Sequence, residues 1–188
     1  MPSSELLRRE TAVLCVIDIQ ERLAAAMVER EAVIEAARKL ILSARRLNVP
    51  IVLTEQYPRG IGPTEPAVMQ ALQDDYQPLE KLHFSCWNEA SFAERLSRLA
   101  EQGRTQVLLC GMEAHVCMLQ TCLDLLANGY QVQVVADGVC SRDASHKHLA
   151  LAQMRQAGAA VSSVEAAVYQ LLRRAGTPEF KDLLPLFR

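Results

Sequence analysis

The chain has no run of about 18 apolar residues, the length a membrane-spanning helix needs. It has no excess of one charge either. Twenty Lys and Arg against 22 Asp and Glu give a net charge of −2, which leaves no electrostatic footprint for nucleic acid or an anionic membrane. The N-terminal "MPSSELLRRETAVLCVID" lacks a signal-peptide layout, and Glu5 and Glu10 argue against a mitochondrial presequence. A cytoplasmic protein is the expectation. The six cysteines (Cys15, Cys86, Cys110, Cys117, Cys122 and Cys140) form no C-x-x-C pair, so no zinc site is expected, and a disulfide framework is not expected in a cytosolic chain of 188 residues. There is no internal repeat, low-complexity tract or linker, and residues 1–188 read as one domain.

What is present is alternation. Four short runs rich in Val, Leu and Ile read as strands buried on both faces: "AVLCVID" (12–18), "PIVLTEQ" (50–56), "TQVLLCGM" (105–112) and "YQVQVVADG" (130–138). "AAVSSVE" (159–165) reads as a fifth, and "QPLEKLHFS" (77–85) holds a weaker one. Helical spacing lies between them. Val33, Ala37, Leu40, Ala44 and Leu47 share a face; Ser91 with Glu94 fits a capping box; Val116, Leu119, Leu123 and Leu126 form a stripe that stops at Asn128-Gly129. Met118, Cys122 and Leu125 add a second stripe to that helix, as expected of a deeply buried or shared element. His146 to Gln156 reads as a further helix. The whole is an α/β fold with a mainly parallel sheet and helices on both faces. "YPRGIGPTEP" (57–66) reads as a long irregular loop, a common place for function.

In open α/β sheets ligands bind beyond the carboxyl ends of the strands. There the sequence places Asp18 after the first strand, Lys81 in the weak one, and Cys117 within a turn of the 105–112 strand. A thiolate attacks carbonyls, and a carboxylate can take the thiol proton and return it to a leaving group. An ammonium can hold the carboxylate, and backbone N–H groups at a helix start can hold an oxyanion. A helix N-terminus and the ammonium also favour thiolate at Cys117. Spacing alone leaves plainer readings open: Asp18 as a helix cap, Lys81 as a surface lysine, Cys117 as packing. Gln20, Gln56, Tyr57, Phe84 and Met112 are candidates to line a substrate pocket. His115 is expected to be structural, and His146 and His148 to be surface residues.

At "VLCVIDIQ", "LEKLHFS" and "LLCGMEAHVCMLQT" the chain resembles the isochorismatase-like, or cysteine, hydrolase family, over nearly its whole length. "VLTEQYPRGIGPT" and "LLCGMEAHVC" resemble its branch of isochorismatase-domain-containing proteins. The resemblance implies a doubly wound, three-layer, six-stranded parallel sheet in the order 3-2-1-4-5-6. It also implies an Asp18–Lys81–Cys117 triad with Cys117 as nucleophile, a cis Met112–Glu113 peptide, and an oxyanion hole from the N–H groups of Glu113 and Cys117. The Glu113 side chain is then free to face a neighbouring subunit. Nicotinamidases of this family carry metal-binding histidines after the second strand; "TEQYPRGIGP" has none. True isochorismatases lack the cysteine. The implied protein is a hydrolase without metal or other cofactor, acting on a small amide- or imide-like substrate as a homo-oligomer. The alternatives are an idle scaffold of the same fold and a redox-sensing thiol.

Overall fold

The computed structural model describes residues 5–188. The apolar runs become β1 (Ala12–Ile17), β2 (Ile51–Gln56), β4 (Gln106–Met112), β5 (Gln131–Cys140) and β6 (Ala160–Ser162); the weak segment supplies β3 (Leu79–Lys81). All neighbouring strands pair in parallel, in the order β3-β2-β1-β4-β5-β6. β1, β2 and β4 are buried almost throughout, because helices cover both faces. Period-two alternation persists inside these apolar runs. Ala12, Leu14 and Val16 join one core with α2 (Arg30–Arg46), α4 (Pro66–Leu72) and α8 (Val164–Leu172). Val13, Cys15 and Ile17 join the other with α5 (Ala90–Glu101), α6 (Leu119–Ala127) and α7 (Ala144–Gln156). Short helices α1 (Glu21–Ala24), α3 (Pro58–Ile61) and α9 (Pro178–Leu183) complete the chain.

Two local expectations need correction, and a third is sharpened. The stretch 57–66 is less irregular than its prolines and glycines suggest: α3 fills Pro58–Ile61, and Pro66 opens α4 at its first helical position. Ser91 does not cap α5; it lies inside the helix, whose first flanking residue is Glu89. The Glu89 carboxylate instead accepts from the N–H groups of Leu82 and His83, which fixes the segment after β3. Along the turn at Ala114–Met118 and α6 after it, the innermost stripe is Met118, Cys122 and Leu125, all fully buried, while Val116, Leu119 and Leu126 pack at its rim. Burial of Met118 and Leu125 stabilises roughly 1.5–3 kcal/mol each, which anchors the helix that follows Cys117.

β1 and β4 approach so closely that only glycine fits at Gly111. It pairs with Ile17, its φ is 136°, and a Cβ there would collide with the Ile17 carbonyl. Gly111→Ala is expected to lower unfolding free energy by about 3 kcal/mol or more, read by urea titration. A change under about 0.5 kcal/mol would mean the strands can part without loss.

Candidate active site

The strand order reverses between β1 and β4, so a crevice opens at their carboxyl ends. Asp18 lies just past β1, Lys81 is the last residue of β3, and Cys117 sits in the first turn after β4. All three are buried, and Asp18 is wholly so. Asp18 holds a left-handed φ of 53°, a strained conformation that tends to accompany function. β2 pins it there: the Asp18 N–H donates to the Thr54 carbonyl at 3.3 Å, and the Thr54 hydroxyl donates to Asp18 Oδ1 at 2.7 Å.

Lys81 Nζ lies 2.7 Å from Asp18 Oδ2. This is a buried ion pair, and the Cys117 thiol also meets the Asp18 carboxylate. The ammonium also donates to Gln56 Oε1 at 2.6 Å and to the carbonyls of Phe84 (3.1 Å) and His83 (3.2 Å). Three protons thus face four oxygens, so Lys81 has no donor to spare.

Cys117 belongs to a π-helical turn, Ala114–Met118, that follows a cis peptide between Met112 and Glu113. The Glu113 carbonyl accepts from the N–H groups of Val116 and Met118 and skips that of Cys117. Cys117 Sγ lies 4.0 Å from Gln56 Oε1, with the Asp18 carboxylate alongside.

The protonation states follow from burial and charge. Burial raises the Asp18 pKa above 3.8, against the pull of Lys81. Burial disfavours the Lys81 ammonium, but the Asp18 charge outweighs it and the pKa rises. Burial and the Asp18 charge push the Cys117 thiol up, and Lys81 offsets only part of this. Against the expectation of a resting thiolate, desolvation and the neighbouring anion favour the neutral thiol over the pull of the ammonium. At rest Cys117 does not stand apart from the other buried thiols; burial takes Cys86 to about 12.

The proposed lining residues divide. Gln20 is fully buried and its amide is engaged: Nε2 donates to the carbonyls of Gln56 and Gly62, and Oε1 accepts the Gln56 N–H. Gln56 bridges Lys81 and the Leu82 carbonyl. Gln20 is taken up in building the site, while Gln56 Oε1 also borders the Cys117 sulfur at 4.0 Å. Met112 is fully buried. Tyr57 and Phe84 are half exposed. Tyr57 and Leu82 line a cavity of about 400 Å³ that borders Lys81 but does not include Cys117 among its walls. Two larger cavities lie at the amino ends of the strands, about 840 Å³ beside Pro50 and about 540 Å³ beside Arg8, away from this crevice.

Glu113 does not present its side chain to a neighbour; it is buried and accepts from the N–H and Nε of Arg142. His115 meets Ser141 Oγ at 3.0 Å and lies against the tilted ring of His146, 4.6 Å between centroids; His146 and His148 are both exposed, as expected. Among the described residues no three His, Cys, Asp or Glu side chains come together as a metal site. Sequence reasoning missed Thr54 and Arg142. A threonine inside the apolar "IVLTEQ" was a usable signal for the first; Arg142 gave none.

A model of the isochorismatase domain matches residues 12–166. The chain belongs to the isochorismatase family. Within that family it is 40% identical over 180 residues to the secreted isochorismatase effector Isc1 of Phytophthora sojae, covering 95% of this chain and 85% of that one. It is 38% identical over 178 residues to human isochorismatase domain-containing protein 2, covering 95% and 83%. Among solved structures, MAR1 ribonuclease from Caenorhabditis elegans superposes with a TM-score of 0.90 at 36% identity, covering 97% and 92%. The YcaC gene product of Escherichia coli, described as an octameric hydrolase of unknown specificity, shares the fold at a TM-score of 0.84 and 21% identity, covering 98% and 97%. The isochorismatase family points to a hydrolase. No helix among the described residues is long and apolar enough to cross a membrane.

Proposed function

We propose that this protein is a cofactor-independent cysteine hydrolase that cleaves a small amide- or imide-like C–N bond. One observation carries the reading: a buried thiol lies against the Asp18 carboxylate, whose charge is balanced by the Lys81 ammonium at 2.7 Å. The Cys117 proton passes to Asp18 Oδ2 as sulfur attacks the carbonyl carbon, and the C=O electron pair moves to oxygen. The oxyanion is received by the backbone N–H groups of Glu113 and Cys117. Lys81, with no free donor, holds Asp18 rather than the oxyanion. The C–N bond then breaks, and the departing nitrogen takes the proton from Asp18. Water attacks the thioester, giving one proton to Asp18; the C–S bond breaks, and sulfur recovers that proton.

Because the Asp18 pKa is raised and only its ionised form accepts a proton, turnover is present above that raised value. It is lost as pH falls through that value, which lies above the usual aspartate value of 3.8. The working place is the cytoplasm, where six free thiols are at home, although one relative is named a secreted effector. The working form is a homo-oligomer, supported by exposed Leu82, Phe84 and Leu149. Light scattering should give a multiple of the protomer mass; a monomer at micromolar concentration would reject this part.

The test is a panel of amides, imides and carbamoyl compounds, with isochorismate and RNA included because relatives carry those names. Turnover of a C–N substrate that Cys117→Ala loses supports the reading. Turnover of isochorismate or RNA that Cys117→Ala keeps overturns it. Failure of the whole panel with a stable protein partner, or reversible oxidation of Cys117 alone, would favour the scaffold or the redox thiol.

A further inference from the structure

Two buried groups beside Asp18 have no part in the steps above. Thr54, on β2, is 1% exposed, and Cys86 is fully buried. The Thr54 hydroxyl donates to Asp18 Oδ1 at 2.7 Å, and its oxygen is the acceptor for the Cys86 thiol at 3.9 Å. A hydroxyl has a single proton. With the Cys86 S–H directed at Thr54 Oγ1, that proton is left to point at Asp18. Cys86 is itself held from outside the network: its N–H donates to Thr121 Oγ1 on α6 at 2.9 Å. Of the two carboxylate oxygens, Oδ1 therefore takes the fixed Thr54 donor, while Oδ2 faces the Lys81 ammonium at 2.7 Å.

We propose that Thr54 is the positioning residue of the general base, with its hydroxyl orientation set by Cys86, so that Oδ2 is the oxygen that takes and returns the Cys117 proton. This rests on Asp18 acting as the base. Thr54 does more than satisfy a buried acceptor. Alongside the larger effect of Lys81, its bond favours the carboxylate form against the burial that raises the Asp18 pKa, and it fixes the carboxylate plane against a strained backbone. Thr54→Val keeps the shape and removes the donor; Thr54→Ser restores the donor with less packing.

The probe is acrylamide, a small neutral electrophile, with Cys117 modification followed by peptide mass spectrometry from about pH 5 to 9. In the wild type the rate rises with pH through ionisation of Asp18. Thr54→Val should move this rise to higher pH and slow modification near pH 6 by about tenfold. Thr54→Ser should return to the wild-type curve. Cys86→Ala should move it the same way by less, and this variant carries the test if Thr54→Val does not fold. A wild-type curve in both Thr54→Val and Cys86→Ala overturns the proposal. If Asp18→Asn also follows that curve, the base itself is misassigned; if Asp18→Asn alone is slow, only the positioning role fails.

Discussion

Asp18→Asn is expected to lower turnover by about a thousandfold or more and to destabilise the fold by about 3–5 kcal/mol. The two losses have one origin. Asp18 and Lys81 are both buried and form an ion pair at 2.7 Å. An asparagine cannot take the thiol proton, and it leaves the ammonium buried without a counter-charge. Lys81→Met should fail differently. The Asp18 anion then loses its counter-charge and keeps the Thr54 and Cys117 contacts, burial raises its pKa further, and the acid limb of any remaining activity moves to higher pH. Combining both changes should recover much of the stability and none of the activity, because a neutral pair no longer carries the desolvation penalty. Urea titration of the four proteins checks this. Additive losses in the double variant would show that the two charges are not coupled.

Cys117→Ala should act on chemistry alone. Turnover is expected to fall by about four orders of magnitude or more, since no other nucleophile stands beside Asp18 in position to form the thioester. Stability should change by less than about 1 kcal/mol, because the side chain is small and the adjoining α6 is anchored by Met118, Cys122 and Leu125. Cys86→Ala is the contrast: an equally buried thiol on the same network, whose loss should slow the reaction but not abolish it. Steady-state kinetics with one substrate from the panel separates the two.

The architecture was legible where hydrophobic periodicity is strong. β1, β2 and β4 stand within a residue or so of their apolar runs, and even the three-residue β3 was visible around Lys81. What was not legible depends on long-range hydrogen bonds. Ser91 and Glu94 matched a capping box, yet Glu89 flanks the helix and its carboxylate serves Leu82 and His83 instead. Gln20 and Gln56 stood where ligand-binding residues stand, and their amides also tie strand ends together, Gln20 the first to the second and Gln56 the second to the third. The positions of Asp18, Lys81 and Cys117 followed from strand ends. The thiol's protonation did not, because desolvation appears only once the helices close over the sulfur.

The central claim is that Cys117 sulfur bonds to the substrate's carbonyl carbon during turnover. Intact-protein mass spectrometry after rapid acid quench, during hydrolysis of a panel substrate, reads it directly. The predicted result is a mass increase equal to the acyl group, meaning substrate less its departing amine. The increase should map to the Cys117 peptide and be absent in Cys117→Ala. Sustained turnover with no adduct on the wild type, and retained turnover in Cys117→Ala, would contradict the account.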